Sequence, residues 1–175
     1  MAILDLVYFP DDPLTKVARP VERFDAKLAE LAESLLETMH AYEGVGLAAP
    51  QVGRSIRMFV LREPEGAEMC LVNPELSGLE GREEGEEGCL SMPKIYAQVP
   101  RATKVNVTAR DLDGGPLEFE AANFLARIIQ HETDHLNGIL FPERLDVFTR
   151  QAVLDEWGRM RPELLDPKAQ EHAAQ

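Results

Sequence analysis

A chain of 175 residues, 45% hydrophobic and 28% charged, is long enough to bury a sizeable core and fits one domain spanning 1–175. Its formal net charge of −13 argues against direct nucleic-acid binding or an anionic membrane surface, both of which need a basic footprint. Met1-Ala2-Ile3-Leu4-Asp5 carries no cationic leader, no run reaches the roughly 18 apolar residues of a membrane helix, and Cys70 and Cys89 alone make no disulfide framework, so the expected compartment is the cytoplasm.

In chain order, residues 1–20 hold Pro10, Pro13 and Pro20 and suit an extended arm on the surface. From Phe24 to Met39 the apolar residues Phe24, Leu28, Leu31, Leu35 and Met39 recur at spacings of three and four, which predicts an amphipathic helix with Asp25 as N-cap and His40 as a dipole partner or surface residue. Gly44-Val45-Gly46-Leu47-Ala48-Ala49-Pro50-Gln51-Val52-Gly53 follows, and two readings stand. It is either a helix stop and tight turn with Gln51 solvated, or a backbone that approaches a ligand closely with the Gln51 amide turned toward it. A phosphate-cradling loop lacks its lysine and hydroxyl.

Ile56–Leu61 and Met69–Val72 read as strands, the second closed by Asn73-Pro74 and holding Cys70 as a small buried residue. Five glutamates between Glu80 and Glu87, against the single Arg82, read as a solvated loop leading into Gly88-Cys89-Leu90-Ser91-Met92-Pro93. Lys104–Arg110 predicts a strand, Asp113-Gly114-Gly115 a hairpin turn, and Leu117–Glu120 its returning strand. A second helix is expected from Ala122 to Asn137 with Gly138 as its left-handed stop. A third runs from Val147 to Met160 and ends at Pro162, so that 146–175 is a C-terminal helix and a frayed tail containing His172. Seven acidic against five basic side chains from Glu143 onward give no basic tail for docking RNA.

The chemistry concentrates in the second helix, at Gln130-His131-Glu132-Thr133-Asp134-His135. At about 100° per residue His131 and His135 differ by about 40° and lie one turn apart, with Glu132 about 60° from His135. Two neutral imidazoles so placed can hold a divalent cation, which lowers the pKa of its bound water from about 15.7 towards 7, and a glutamate beside it can shuttle the proton. Phe124 and Ile128 continue the same stripe, so the metal-bearing face extends as an apolar wall and implies a hydrophobic side-chain pocket. Against this stands the plain account of two core or surface histidines with a glutamate between them.

The third ligand separates the classes. A metzincin-type extension would need histidine where Phe141 stands. A zincin-like metallopeptidase would take Glu156 from the following helix, whereas Cys89 would complete a Cys-His-His site with its fourth position open to water. A structural clip in a binding module would require a fourth protein ligand.

Gly44-Val45-Gly46-Leu47-Ala48-Ala49-Pro50-Gln51, Glu87-Gly88-Cys89-Leu90-Ser91 and Gln130-His131-Glu132-Thr133-Asp134-His135 together resemble, in order and spacing, the three signature segments of peptide deformylases. The resemblance extends over residues 1 to about 145, including Pro10-Asp11-Asp12-Pro13 and Val99-Pro100-Arg101. It implies an α+β fold, with antiparallel or mixed sheets packed around a central metal-bearing helix and with an N-terminal and a C-terminal helix. It implies hydrolytic removal of the formyl group from the N-terminal formyl-methionine of nascent peptides by metal-bound water or hydroxide. Cys89, His131 and His135 are then the ligands of one Fe²⁺ or Zn²⁺, and Glu132 is the general base and acid. Gln51 and the Leu90 N–H would face the formyl oxygen, and Gly46 would be the edge along which the peptide lies. Val45, Leu125 and Ile128 would line the methionine pocket, with the Glu87–Arg101 ion pair beside it. The partners implied are N-formylmethionyl nascent chains and, through them, passing contact with the ribosome. Two features depart from the pattern: Arg127 stands next to Ile128 where a pocket wall favours an apolar residue, and the approach to Cys89 is unusually acidic.

Overall fold

The Asp25 carboxylate accepts the Leu28 N–H at 3.1 Å and opens the first helix, α1, Ala26–Ala41. The computed structural model describes residues 2–165. After α1 come β1 (Gly46–Ala48), a 3₁₀ turn (Ala49–Val52), β2 (Met58–Arg62), β3 (Glu68–Glu80), β4 (Glu83–Cys89) and β5 (Met92–Arg101). Then follow β6 (Lys104–Arg110), β7 (Pro116–Ala122), α2 (Asn123–Leu136), a second 3₁₀ turn (Phe141–Arg144) and α3 (Val147–Leu164). The strands form a five-stranded sheet in the order β1-β2-β3-β6-β7 and a separate hairpin, β4-β5, both antiparallel throughout.

At β2 the large sheet is covered on both faces and the strand is apolar on both, whereas β6 alternates buried Val105, Val107 and Ala109 with exposed Asn106, Thr108 and Arg110. From β2, Phe59 and Leu61 pack with Leu71, Val105 and Val107 against Ala126, Ile129 and Leu136 of α2. The alternate residues Met58 and Val60 pack with Val72 against Leu28, Leu35 and Met39 of α1. The hairpin has a core of its own, in which Met92, Ile95 and Val99 meet Leu14, Phe141 and Trp157. Helix α2 thus runs between the sheet and the hairpin, as the expected architecture requires, with α1 and α3 as the N- and C-terminal helices. Among the described residues no helix is long and apolar enough to cross a membrane.

Several elements differ from expectation for identifiable reasons. Strand β3 passes through Asn73-Pro74, because Asn73 adopts a φ of 50° and the register shifts between Val72 and Glu75. The Asn73 side chain accepts the Val21 N–H at 2.8 Å and donates to the Val21 carbonyl at 2.9 Å. The glutamate-rich segment is a strand, since pairing with β5 in the register Glu83↔Arg101 to Gly88↔Tyr96 overrides its weak propensity. Helix α3 continues through Pro162 to Leu164. The N-terminal arm is irregular but anchored, with Leu14 and Ala18 buried and the Phe9 carbonyl accepting Trp157 Nε1 at 2.9 Å. Gly138 takes the left-handed φ of 75° that closes α2, His40 pairs with Glu68, and burial pushes the Cys70 thiol up to about 12. The frayed tail and His172 lie outside the described residues.

Candidate metal centre and substrate groove

From Ile128 to Leu136 every residue of α2 is buried. Four of them, His131, Glu132, Asp134 and His135, are titratable, so their burial demands partners. His131 Nδ1 lies 2.8 Å from Glu87 Oε1, and Glu87 is gripped from behind by Arg101 through two 2.9 Å bonds to its two oxygens. Arg101 also donates to Asp134 at 2.5 Å, and Asp134 accepts a bidentate pair from Arg144 at 3.0 and 2.6 Å. Despite the penalty of burial, hydrogen bonds from His131 and Arg101 bring the Glu87 carboxyl down to about 2. A carboxylate fixed to one ring nitrogen sets the tautomer and leaves the other nitrogen facing the site.

The second imidazole, His135, is fully buried, and its Nε2 lies 3.3 Å from Cys89 Sγ. The ligand atoms of Cys89, His131 and His135 all fall within 4.8 Å of one another, and among the described residues this trio is the grouping able to hold a metal ion. Thiolate and imidazole suit zinc or ferrous iron, and beside them Glu132 Oε2 is buried without a hydrogen-bond partner, so the residues present fit a divalent cation and a polar ligand next to it. Burial, opposed by the charge on His131 and reinforced by that on Glu87, raises the Glu132 carboxyl to about 7. Burial opposes protonation of both imidazoles. Hydrogen bonds to Cys89 and Glu87 overcome this at His131 and raise it, whereas at His135 the neighbouring His131 and Arg101 deepen the depression.

The 3₁₀ turn places Gln51 on the opposite wall. Its Oε1 accepts the Ala48 N–H at 2.9 Å, which fixes the amide orientation and turns Nε2 toward Ser91 Oγ at 3.2 Å and Cys89 Sγ at 3.6 Å. Gln51 is 1% exposed, so of the two readings of this segment the solvated one falls. Strand β1 crosses directly over the carboxylate of Glu132: a Cβ on Gly46 would lie 2.6 Å from its Oε1.

A groove of about 690 Å³ opens onto these groups, lined by Val45, Gly46, Gln51, Leu90, Ile128 and Glu132 together with Cys89, His131 and Glu87. Leu125, expected in the pocket wall, packs instead on the core between the sheet and α2, and Arg101 stands behind Glu87 in an ion pair, itself outside the groove. Glu156 is exposed on α3, outside the ligand trio, which removes the metallopeptidase reading. The sequence reading missed the roles of Asp134, whose partner Arg101 is distant in the chain, of Arg144, which pairs with Asp134, and of Ser91. It missed the role of Gln130, whose amide donates to the carbonyls of Ala102 and Ala126 and accepts the Ala102 N–H. It also left Arg127 unexplained, although a position one turn before His131 shares its helix face.

The sequence profile described as polypeptide deformylase matches residues 3–151. The chain is 45% identical over 155 residues to the peptide deformylase of Chromobacterium violaceum, covering 87% of this chain and 93% of that protein. The peptide deformylase of Legionella pneumophila superposes with a TM-score of 0.87 at 41% identity, covering 95% of this chain and 100% of that one. That of Ehrlichia chaffeensis in complex with actinonin gives 0.86 at 34% identity, over 91% and 98%. With the ligand trio, the buried glutamate and the fold already in place, these matches establish that the chain belongs to the polypeptide deformylase family of metal-dependent hydrolases acting on N-formyl peptides.

Proposed function

We propose that the protein removes the formyl group from N-formylmethionyl nascent peptides in the cytoplasm, with Cys89, His131 and His135 holding one Fe²⁺ or Zn²⁺. The observation that carries this reading is the meeting of one thiol and two imidazoles within 4.8 Å beside a buried carboxylate oxygen that has no partner. When bound, the ion supplies Lewis acidity and lowers the pKa of an attacking water. Glu132, whose buried Oε2 has no protein partner, takes the proton from the attacking water and delivers it to the leaving amine. Gln51 Nε2 and the Leu90 N–H donate to the formyl oxygen as it gains charge. Val45 and Ile128 receive the methionine side chain, and the Glu87–Arg101 pair keeps His131 in place beneath it.

The sheet order ends at β1, which supports an extended peptide pairing along its outer edge at Gly46, a mode that reads backbone rather than side chains and suits nascent chains of any sequence. Passing contact with the ribosome follows from that substrate. The test is hydrolysis of formyl-Met-Ala-Ser compared with an unformylated longer peptide. Formate release from the first alone is expected, with inhibition by actinonin, the compound bound by the Ehrlichia chaffeensis relative. Glu132→Ala is expected to reduce turnover by at least about 10²- to 10⁴-fold while the metal content is kept; retained turnover would refute the role given to Glu132.

A further inference from the structure

The ligand trio spans two separate sheets. His131 and His135 ride on α2 against the five-stranded sheet, whereas Cys89 ends β4 of the hairpin, and no strand is shared between the two sheets. Metal ligation tolerates only about 0.2 Å in each bond, so the distance between β4 and α2 must be held by something other than the ligands. Arg127, on α2 one turn before His131, reaches both strands of the hairpin. Its Nη1 donates to Glu87 Oε2 at 2.6 Å and to the Val99 carbonyl on β5 at 2.7 Å, and its Nη2 donates to the Glu83 carbonyl at the start of β4 at 2.7 Å. The guanidinium lies over Gly85, the residue paired with Val99, where a Cβ would come within 2.9 Å of Arg127 Cζ and 3.0 Å of Nε and Nη2.

We infer that Arg127 is a positioning residue for the third ligand, a brace between the strand that delivers Cys89 and the helix that delivers the two histidines. The departure at Arg127 and the glycine in the middle of the glutamates then have one cause. A cation stands on an otherwise apolar wall because its head is consumed by the hairpin, and a glycine interrupts the glutamates because the brace needs that space. Of the four glutamates on β4, Glu87 turns inward to meet it, while Glu83 contributes its backbone carbonyl. Truncating Arg127 removes the side-chain donor from two hairpin carbonyls and one of the two donors from Glu87 Oε2, which keeps Arg101, and frees the end of β4 to drift from α2.

This inference rests on Cys89, His131 and His135 being the ligands, and its test reads metal binding directly. Cobalt(II) is titrated into the metal-depleted protein against a competing chelator, and the thiolate-to-cobalt absorption band is recorded. Arg127→Met and Gly85→Val are each expected to raise the cobalt dissociation constant about 10- to 100-fold and to weaken or displace that band, with Arg127→Lys intermediate. Should Arg127→Met fail to fold, Gly85→Ala decides, because it keeps every polar side chain and only crowds the guanidinium. Wild-type affinity and an unaltered band in the folded variants overturn the brace, whatever happens to turnover. A wild-type chain that takes up no cobalt would instead refute the ligand assignment, and the brace with it.

Discussion

The two sides of the five-stranded sheet solve the same packing problem with different chemistry. Against α1 the contact is apolar throughout, with Leu28, Leu35, Met39, Met58, Val60 and Val72 excluding water. On the other side, α2 shows the sheet an apolar face, and between α2 and the hairpin runs a chain of largely buried charge, Asp134, Arg101, Glu87, Arg127 and His131, ending at the exposed Arg144 and joined by bonds of 2.5 to 3.0 Å. Apolar contacts are non-directional and contribute stability, whereas charge-assisted pairs fix direction and offset a desolvation penalty that a hydrophobic replacement would not carry. The first side holds the sheet, and the second aims the ligands.

The comparison breaks most readily at Glu87. Glu87→Ala leaves Arg101 and Arg127 without their shared carboxylate and is expected to destabilise by about 3–5 kcal/mol and to weaken metal binding about 10- to 100-fold, measured by thermal melts and chelator competition. On the other side, Leu35→Ala opens a cavity at a fully buried site and is expected to lose a similar 2–5 kcal/mol, but with the metal dissociation constant unchanged. Equal losses of metal affinity in the two variants would erase the distinction.

Acid sharpens it further. Glu87 is held down to about 2, below the 4.5 of a free glutamate, so its stabilising contribution is present above about pH 4.5 and is lost as pH falls from there toward 2. Stability profiles should therefore flatten across that window in Glu87→Gln, while Leu35→Ala only shifts the whole curve downward. The smallest effect belongs to the end of the apolar side. Asp25→Ala removes the cap of α1 and is expected to lower stability by about 0.5–2 kcal/mol with turnover unaltered.

What the sequence made legible follows the same division. The stripe of α1, strand β6 with its Asp113-Gly114-Gly115 turn, and the adjacency of His131 and His135 are local patterns of period 2 or 3.6, and each appears where periodicity places it. The segment resemblance joined Cys89 to the histidines across the chain, and the structure brings them together. Strand β4 was opaque because glutamates and glycines disfavour strands, and only pairing with β5 decides its conformation. Arg101, Asp134 and Arg144 form one chain of bonds from positions that no local period connects. Asn73-Pro74 looked like a terminator because the bulge that carries β3 past it depends on the Val21 backbone of a distant segment.

The N-terminal arm gives the groove a dependence that no groove residue reveals. Val7 donates its N–H to the Gln51 carbonyl at 2.7 Å, and Phe9 donates to the Ser91 carbonyl at 3.0 Å, so the arm laces the amide-bearing turn to the loop that follows Cys89. The lace is tied off by α3, where Trp157 holds the Phe9 carbonyl across 148 positions of sequence and Arg161 pairs with Asp11 at 2.8 Å. Cutting the chain ahead of that helix would slacken Gln51 and Ser91 while leaving every side chain of the groove in the polypeptide.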